Sequence, residues 1–122
     1  MRDYWVYIVD SPQRDLACTV WWIYESGFHK DHKVCLLPGS ELSTEFLMNQ
    51  KPNVIVWNYA RSNNIKAIQK SKQLGIYNII HDTEGIPYFL DKFFSGLSKS
   101  EIQLIDEVWC WGSDQANIIN EK

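Results

Sequence analysis

Tyr77-Asn-Ile-Ile-His81-Asp82-Thr83-Glu84-Gly85 decides how this chain is read. Tyr77 to Ile80 has the look of a short buried strand. It stops on four consecutive polar residues and a turn glycine, and no helical pattern begins there for those residues to cap. In open α/β sheets ligands bind just beyond the carboxyl ends of the strands. The ending His81-Asp82-Thr83-Glu84 is therefore the first candidate for a site.

Working outward, the same kind of run recurs. Tyr4-Trp-Val-Tyr-Ile-Val9, His32-Lys-Val-Cys-Leu-Leu37, Asn53-Val-Ile-Val-Trp57 and Glu107-Val-Trp-Cys-Trp111 are apolar, aromatic and β-branched. Such runs suit strands buried on both faces, as in parallel sheets. Between them the period changes to that of a helix. Leu16, Val20, Ile23 and Tyr24 share one face, with Gly27 as a stop. Residues 41–49 form a short helix with Ser40 as its cap. Ile65, Ile68 and Leu74 mark a third face, flanked by Ala67 and Ser71 and closed by Gly75, with Ser62 or Asn63 as cap. Ser98-Lys-Ser-Glu101 has the form of a capping box, opening a helix to about residue 105. A last helix follows Ser113-Asp114. Regular β-α alternation with short connections predicts a parallel sheet with helices on both faces. The expected fold is a three-layer, Rossmann-like α/β domain of about five strands, one domain over residues 1–122. Residues 85–96 are apolar without a clean period. They form either a loop packing its aromatics onto the core or a lid over the strand ends.

Composition narrows the function classes. With 45% hydrophobic and 22% charged residues the chain can fill a core, so intrinsic disorder is not expected. Net charge is −3, which is not the basic footprint of a nucleic-acid binder. Lys66, Lys70 and Lys72 read as a solvated helix face. Cys18, Cys35 and Cys110 are widely spaced and set among apolar residues, as expected of reduced core thiols in a cytoplasmic protein. The three histidines lack metal-ligand spacing, so no metal is expected. No apolar run reaches the ~20 residues needed to span a bilayer. The six Trp and six Tyr either fill the core or line a sugar- or protein-binding face.

A doubly wound sheet gathers its strand ends on one edge. Collected there are Asp10, Arg14 and Asp15 after the first strand and Gly39, Ser40 and Glu41 after the second. Asn58, Tyr59 and Arg61 follow the third, His81 to Gly85 the fourth, and Trp111, Gly112 and Asp114 the fifth. Carboxylates beside a histidine suit general acid–base chemistry. Asp10, Ser40, Ser62 and Ser113 are equally readable as helix caps. The common cofactor signatures are missing: GxGxxG, GxxxxGK[ST] and GxSxG do not occur. A phosphoacceptor receiver domain would need Asp where Asn58 stands. Asp10-Ser-Pro-Gln-Arg14 is not the Ser/Thr/Gly-rich loop that flavin mononucleotide binding would need.

Gln13-Arg-Asp-Leu16, Lys51-Pro-Asn-Val-Ile-Val56, His81-Asp-Thr-Glu-Gly85 and Ile105-Asp-Glu-Val-Trp-Cys-Trp-Gly112 together resemble a known family. The chain looks like the N-terminal half of the bacterial surface carbohydrate biosynthesis proteins, glycosyltransferases of the GT-B type. Arg14, Asp15, Asp82, Glu84, Gly85, Trp111 and Gly112 match that family's short motifs. The resemblance implies an acceptor-binding domain in surface polysaccharide biosynthesis, with a glycan acceptor as partner and a nucleotide sugar as co-substrate. A C-terminal donor-binding domain would complete the enzyme, and this half would be inactive alone. Glu84 or Asp82 would act as base on the acceptor hydroxyl or hold it, with His81 as helper. Arg14 would bind an anionic sugar or phosphate, beside Asp15 and Asn58. Tyr59 and Trp111 would stack on a sugar ring, and Gly85 and Gly112 would supply turns. Peripheral membrane association of the full-length enzyme and homodimerisation are left open. The alternative expectation is a stand-alone Rossmann-like binding or scaffolding module without catalysis.

Overall fold

The computed structural model describes residues 3–10, 16–81 and 97–109. It contains five strands: β1 (Tyr4–Ile8), β2 (Lys33–Leu37), β3 (Val54–Trp57), β4 (Tyr77–Ile80) and β5 (Glu107–Val108). All pairings are parallel and the sheet order is β2-β1-β3-β4-β5. The helices are α1 (Ala17–Glu25), α2 (Phe28–Asp31), α3 (Thr44–Gln50), α4 (Ile65–Gln73) and α5 (Lys99–Ile102). The expected Rossmann-like α/β fold is what the chain forms. The strand order is that of the flavodoxin-like branch of doubly wound sheets.

Both faces of the sheet are covered. Val6, Ile8, Ile55, Trp57 and Ile80 pack on one side against Leu47 of α3 and Ile65 and Ile68 of α4. Tyr7, Val9, Val54, Val56 and Ile79 pack on the other against Ile23 of α1 and Phe28 of α2. Adjacent strand residues thus serve opposite layers, which is why these strands are apolar throughout. Ile68 is fully buried, and truncating such a side chain to Ala costs about 2–5 kcal/mol.

Helix ends follow local chemistry. Ser98 and Glu101 form the capping box at α5. Gly27 and Gly75 adopt positive φ, 74° and 78°, where a Cβ would be strained. The cap of α3 differs from the sequence expectation. Ser40 lies in a 3-10 turn, Gly39–Glu41, and the side chain of Ser43 accepts from Phe46 N at 3.0 Å. At α4 neither Ser62 nor Asn63 caps. The helix starts after Asn64, whose side chain instead ties the preceding turn.

Burial corrects three assignments. Tyr24 stands 64% exposed, because it lies one step round α1 from the buried Ile23. Cys18 is exposed on the outer side of the same helix rather than in the core, whereas Cys35 is half-buried against it. Leu74 falls beyond the end of α4 and is half-exposed, while Ser71 is completely buried. Ser71 Oγ donates to Asn78 Oδ1 at 2.7 Å, and Trp57 Nε1 donates to the same oxygen at 3.0 Å. Asp106 accepts from the Asn78 backbone N at 2.8 Å and pairs with Lys72. The segment 85–96, the helix expected after Ser113 and Cys110 lie outside the described residues.

Candidate functional site

The sheet order places β2 on one side of β1 and β3 on the other, so the chain leaves β1 and β3 in opposite directions. A crevice opens at such a switch point, beyond the strand ends. Here a cleft of about 210 Å³ lies between the ends of β1, β2 and β3. That is below the roughly 300–1,000 Å³ of drug-sized sites, and it suits a small ligand.

Asp10 organises the cleft. Val9 N donates to Leu37 O at 2.9 Å, keeping β1 beside β2 up to its last turn. One Asp10 oxygen, Oδ1, then accepts from Gly39 N at 2.7 Å. The other, Oδ2, accepts from Asn58 Nδ2 at 2.8 Å. The carboxylate thus joins the ends of three strands. Gly39 is needed for the approach, since a Cβ there would sit 3.0 Å from Asp10 Oδ1. Asn58 is buried, whereas Asp10 faces solvent.

The opposite wall comes from the turn after β3. Asn64 Nδ2 donates to Tyr59 O at 2.7 Å, and Arg61 N donates to Asn64 Oδ1 at 2.8 Å. These bonds fold residues 59–64 into a tight turn that leads into α4. Asn63 Nδ2 donates to the Tyr59 hydroxyl at 3.2 Å, and the Arg61 guanidinium lies 5.1 Å from the Tyr59 ring centre. Ile8, Leu42, Trp57 and Ala67 supply apolar lining.

Of the residues selected from the sequence, Asn58 and Tyr59 are brought together in this cleft. His81 is not among its lining residues. Its backbone N donates to Trp57 O at 2.9 Å, and its ring meets the edge of Trp109 at 5.7 Å. Trp109 in turn reaches over the sheet to Trp5 at 6.3 Å and Trp22 at 5.8 Å. Much of the aromatic content therefore fills the layer between the sheet and α1–α2. Arg14, Asp15, Asp82, Glu84, Gly85, Trp111 and Gly112 lie outside the described residues. Among the described residues no group of His, Cys, Asp and Glu could hold a metal ion. Asp10 was visible as a strand-end residue, but its role was hidden. Only the strand order shows that it faces Asn58 and Gly39.

The fold and this crevice define a class: a doubly wound α/β domain with a polar cleft at its topological switch point. No protein-family model, curated protein or solved structure matches the chain.

Proposed function

We propose that the domain binds the acceptor sugar of a glycosyltransferase, with the acceptor ring in the Asp10–Asn58 cleft. A nucleotide sugar would be the donor, held by a C-terminal domain of GT-B type, and the product would be a surface polysaccharide assembled in the cytoplasm. The supporting observation is the carboxylate of Asp10 at the β1/β3 switch point, held by Gly39 N and Asn58 Nδ2. Hydroxyl-rich ligands are recognised by such fixed acceptors and amides beside apolar lining. The sequence resemblance adds Glu84 or Asp82, with His81, as groups acting on the acceptor hydroxyl, and Arg14 and Trp111 as further contacts. Among the described residues no helix is long and apolar enough to cross a membrane.

The test is a titration of the isotopically labelled chain with methyl hexosides, followed by NMR. Shifts confined to Asn58, Tyr59 and Asn63 are expected, and shifts only elsewhere reject the cleft. In a transfer-competent full-length enzyme, Glu84→Gln is expected to abolish transfer with the fold intact. Undiminished transfer would remove Glu84 from the chemistry.

One observation favours the second reading, a binding module without catalysis. Trp21 and Tyr24 on α1 are 66% and 64% exposed, and exposed aromatics are enriched at protein interfaces. A partner protein protecting α1 from hydrogen exchange, with no sugar bound in the cleft, would establish that reading instead.

A further inference from the structure

We infer that β2 is a contact between two copies of this chain, which pair their β2 edges antiparallel about a two-fold axis at Cys35 and join their two sheets into one. Among the described residues β2 ends the sheet, with β1 as its one neighbour. A strand edge with unpaired N–H and C=O groups is a template for another strand. Bonds at the two ends of β2 show which groups point outward. Lys33 N donates to Asp3 O at 2.8 Å, and Leu37 O accepts from Val9 N at 2.9 Å. The N–H and C=O of successive strand residues point to alternate sides. Lys33, Cys35 and Leu37 therefore bond β1, while Val34 and Leu36 face away from it. Among the described residues these outward groups meet nothing polar except the Cys35 thiol, 3.9 Å from Leu36 O.

The strand ends name the register. Next to the outward pair, His32 N already donates to Phe28 O at 3.1 Å. Pro38 has no N–H, and its carbonyl accepts from Glu41 N at 3.0 Å. With Leu36 on the axis, Val34 would face Pro38 of the second copy, and the Val34 carbonyl would find no donor. With Val34 on the axis, Leu36 would face His32 of the second copy, whose N–H is taken. With Cys35 on the axis, Val34 of each copy exchanges N–H···O bonds with Leu36 of the other, and every outward group is paired. The side chains agree. Val34 and Leu36 belong to the layer of α1 and α2, and become an apolar cross-strand pair on each side of the axis. Lys33 is the one charged residue of β2, and an edge lysine commonly guards against such pairing. Here its Nζ is drawn back over the Tyr4 ring of β1, 4.3 Å from the centre. In the Cys35 register the two lysines stand at opposite ends of the ladder, so like charges do not face. Val34, Cys35 and Leu36 are not among the residues lining the Asp10–Asn58 cleft, and the contact does not depend on what that cleft binds.

The experiment uses the 122-residue chain over a concentration series from about 1 μM to 1 mM, since small interfaces give weak complexes. Sedimentation is expected to show monomer passing to dimer. Amide exchange followed by NMR reads the edge itself. Val34 and Leu36 are expected to exchange about tenfold or more slowly at the highest concentration, while Lys33, Cys35 and Leu37 are already held by β1. Cys18→Ser with Cys110→Ser leaves Cys35 as the one thiol. Residues facing each other in a non-hydrogen-bonded pair have Cα atoms about 4.5 Å apart, within the roughly 4.4–6.8 Å that a disulfide spans. Diamide, which takes up the two electrons and two protons of the thiols, is expected to give a dimer that dithiothreitol separates. Val34→Pro removes an outward N–H and no bond to β1, a change edge strands tolerate. Folded by circular dichroism, it is expected to stay monomeric. A wild-type chain that is monomeric throughout the series overturns the proposal. So does a folded Val34→Pro variant that dimerises like wild type, or a dimer whose slowed amides lie on α1. A dimer that diamide does not link through Cys35 overturns the register. Should Val34→Pro fail to fold, exchange and crosslinking at the unaltered edge decide.

Discussion

Asn58 donates its side-chain amide to the carboxylate of Asp10 at 2.8 Å, across 48 positions of sequence. The bond closes the switch point of the sheet, because Asp10 ends the β1 segment and Asn58 follows β3, its neighbour. Hydrogen bonds to charged groups contribute about 1.5–3 kcal/mol, and the solvent exposure of Asp10 places this one at the low end. Asp10→Ala is expected to lower stability by about 1–2 kcal/mol in urea denaturation. It also leaves the buried Asn58 amide without its acceptor, so Asp10→Asn, which keeps one acceptor oxygen, should cost less. Equal losses in the two variants would show that the pairing contributes no stability.

Gly39→Ala tests the close approach rather than the charge. The added Cβ would lie 3.0 Å from Asp10 Oδ1, tighter than ordinary contact, so the carboxylate must move off the Gly39 N–H. A loss of about 1 kcal/mol is expected. In an Asp10→Ala background the clash and the bond are both gone, and the same substitution should be near neutral. A double-mutant cycle measures this coupling, since residues in contact depart from additivity by about 0.5–3 kcal/mol. Additive effects would mean that Gly39 is required for its own backbone and not for Asp10.

How much of this was legible in the sequence depends on the range of each interaction. Strands and capping residues are local, so the five runs and the Ser98–Glu101 box were readable. Strand order is not local. Alternation says that β2 and β3 are parallel to β1 but not on which side each lies, so the Asp10–Asn58–Gly39 cluster could not be assembled. Ser71 illustrates a second limit. Helical spacing favoured Leu74 over it, yet the turn at Gly75 ends the helix first. The buried Ser71 hydroxyl is compensated by Asn78, seven residues on and in a strand. Polar partners inside a core are visible only once the elements are packed.

That buried network gives a third prediction. Asn78 Oδ1 is the shared acceptor for Trp57 Nε1 and Ser71 Oγ. Asn78→Leu leaves two buried donors without a partner, each costing about 1–3 kcal/mol. Ser71→Ala removes a donor only, and the Trp57 bond survives. The Asn78 variant should therefore lose at least twice as much stability as the Ser71 variant. Comparable losses would place the energy in packing, not in the shared oxygen.

Gly75 separates backbone strain from packing. Its φ is +78°, and a Cβ there would meet nothing within 4 Å. The cost of Gly75→Ala is then conformational alone, about 1–2 kcal/mol for an L-residue in this region. Asn tolerates left-handed backbone better, so Gly75→Asn should recover part of the loss. An Asn variant no more stable than the Ala variant would point to an effect outside the backbone.

Tyr7 provides the pH test. Its side chain is buried in the aromatic layer, and among the described residues its hydroxyl has no hydrogen-bond partner. Burial raises the phenol well above its ordinary value. In the unfolded chain a phenol ionises near pH 10. Above that pH the unfolded state has released a proton that the folded state retains, so stability falls as pH rises. The Tyr7 contribution is complete below about pH 10 and is lost as pH climbs toward the raised folded value, with a slope of up to about 1.4 kcal/mol per pH unit. Tyr4 and Tyr77 are raised as well, and they titrate alike in wild type and in Tyr7→Phe. The difference between the two proteins thus reports Tyr7. At pH 7 the Phe variant should be as stable as wild type or slightly more so, because the lost hydroxyl was unpartnered. Between pH 9 and 11 its stability should decline less steeply in denaturant titrations. Parallel declines would show that the Tyr7 hydroxyl gains access to water in the folded protein.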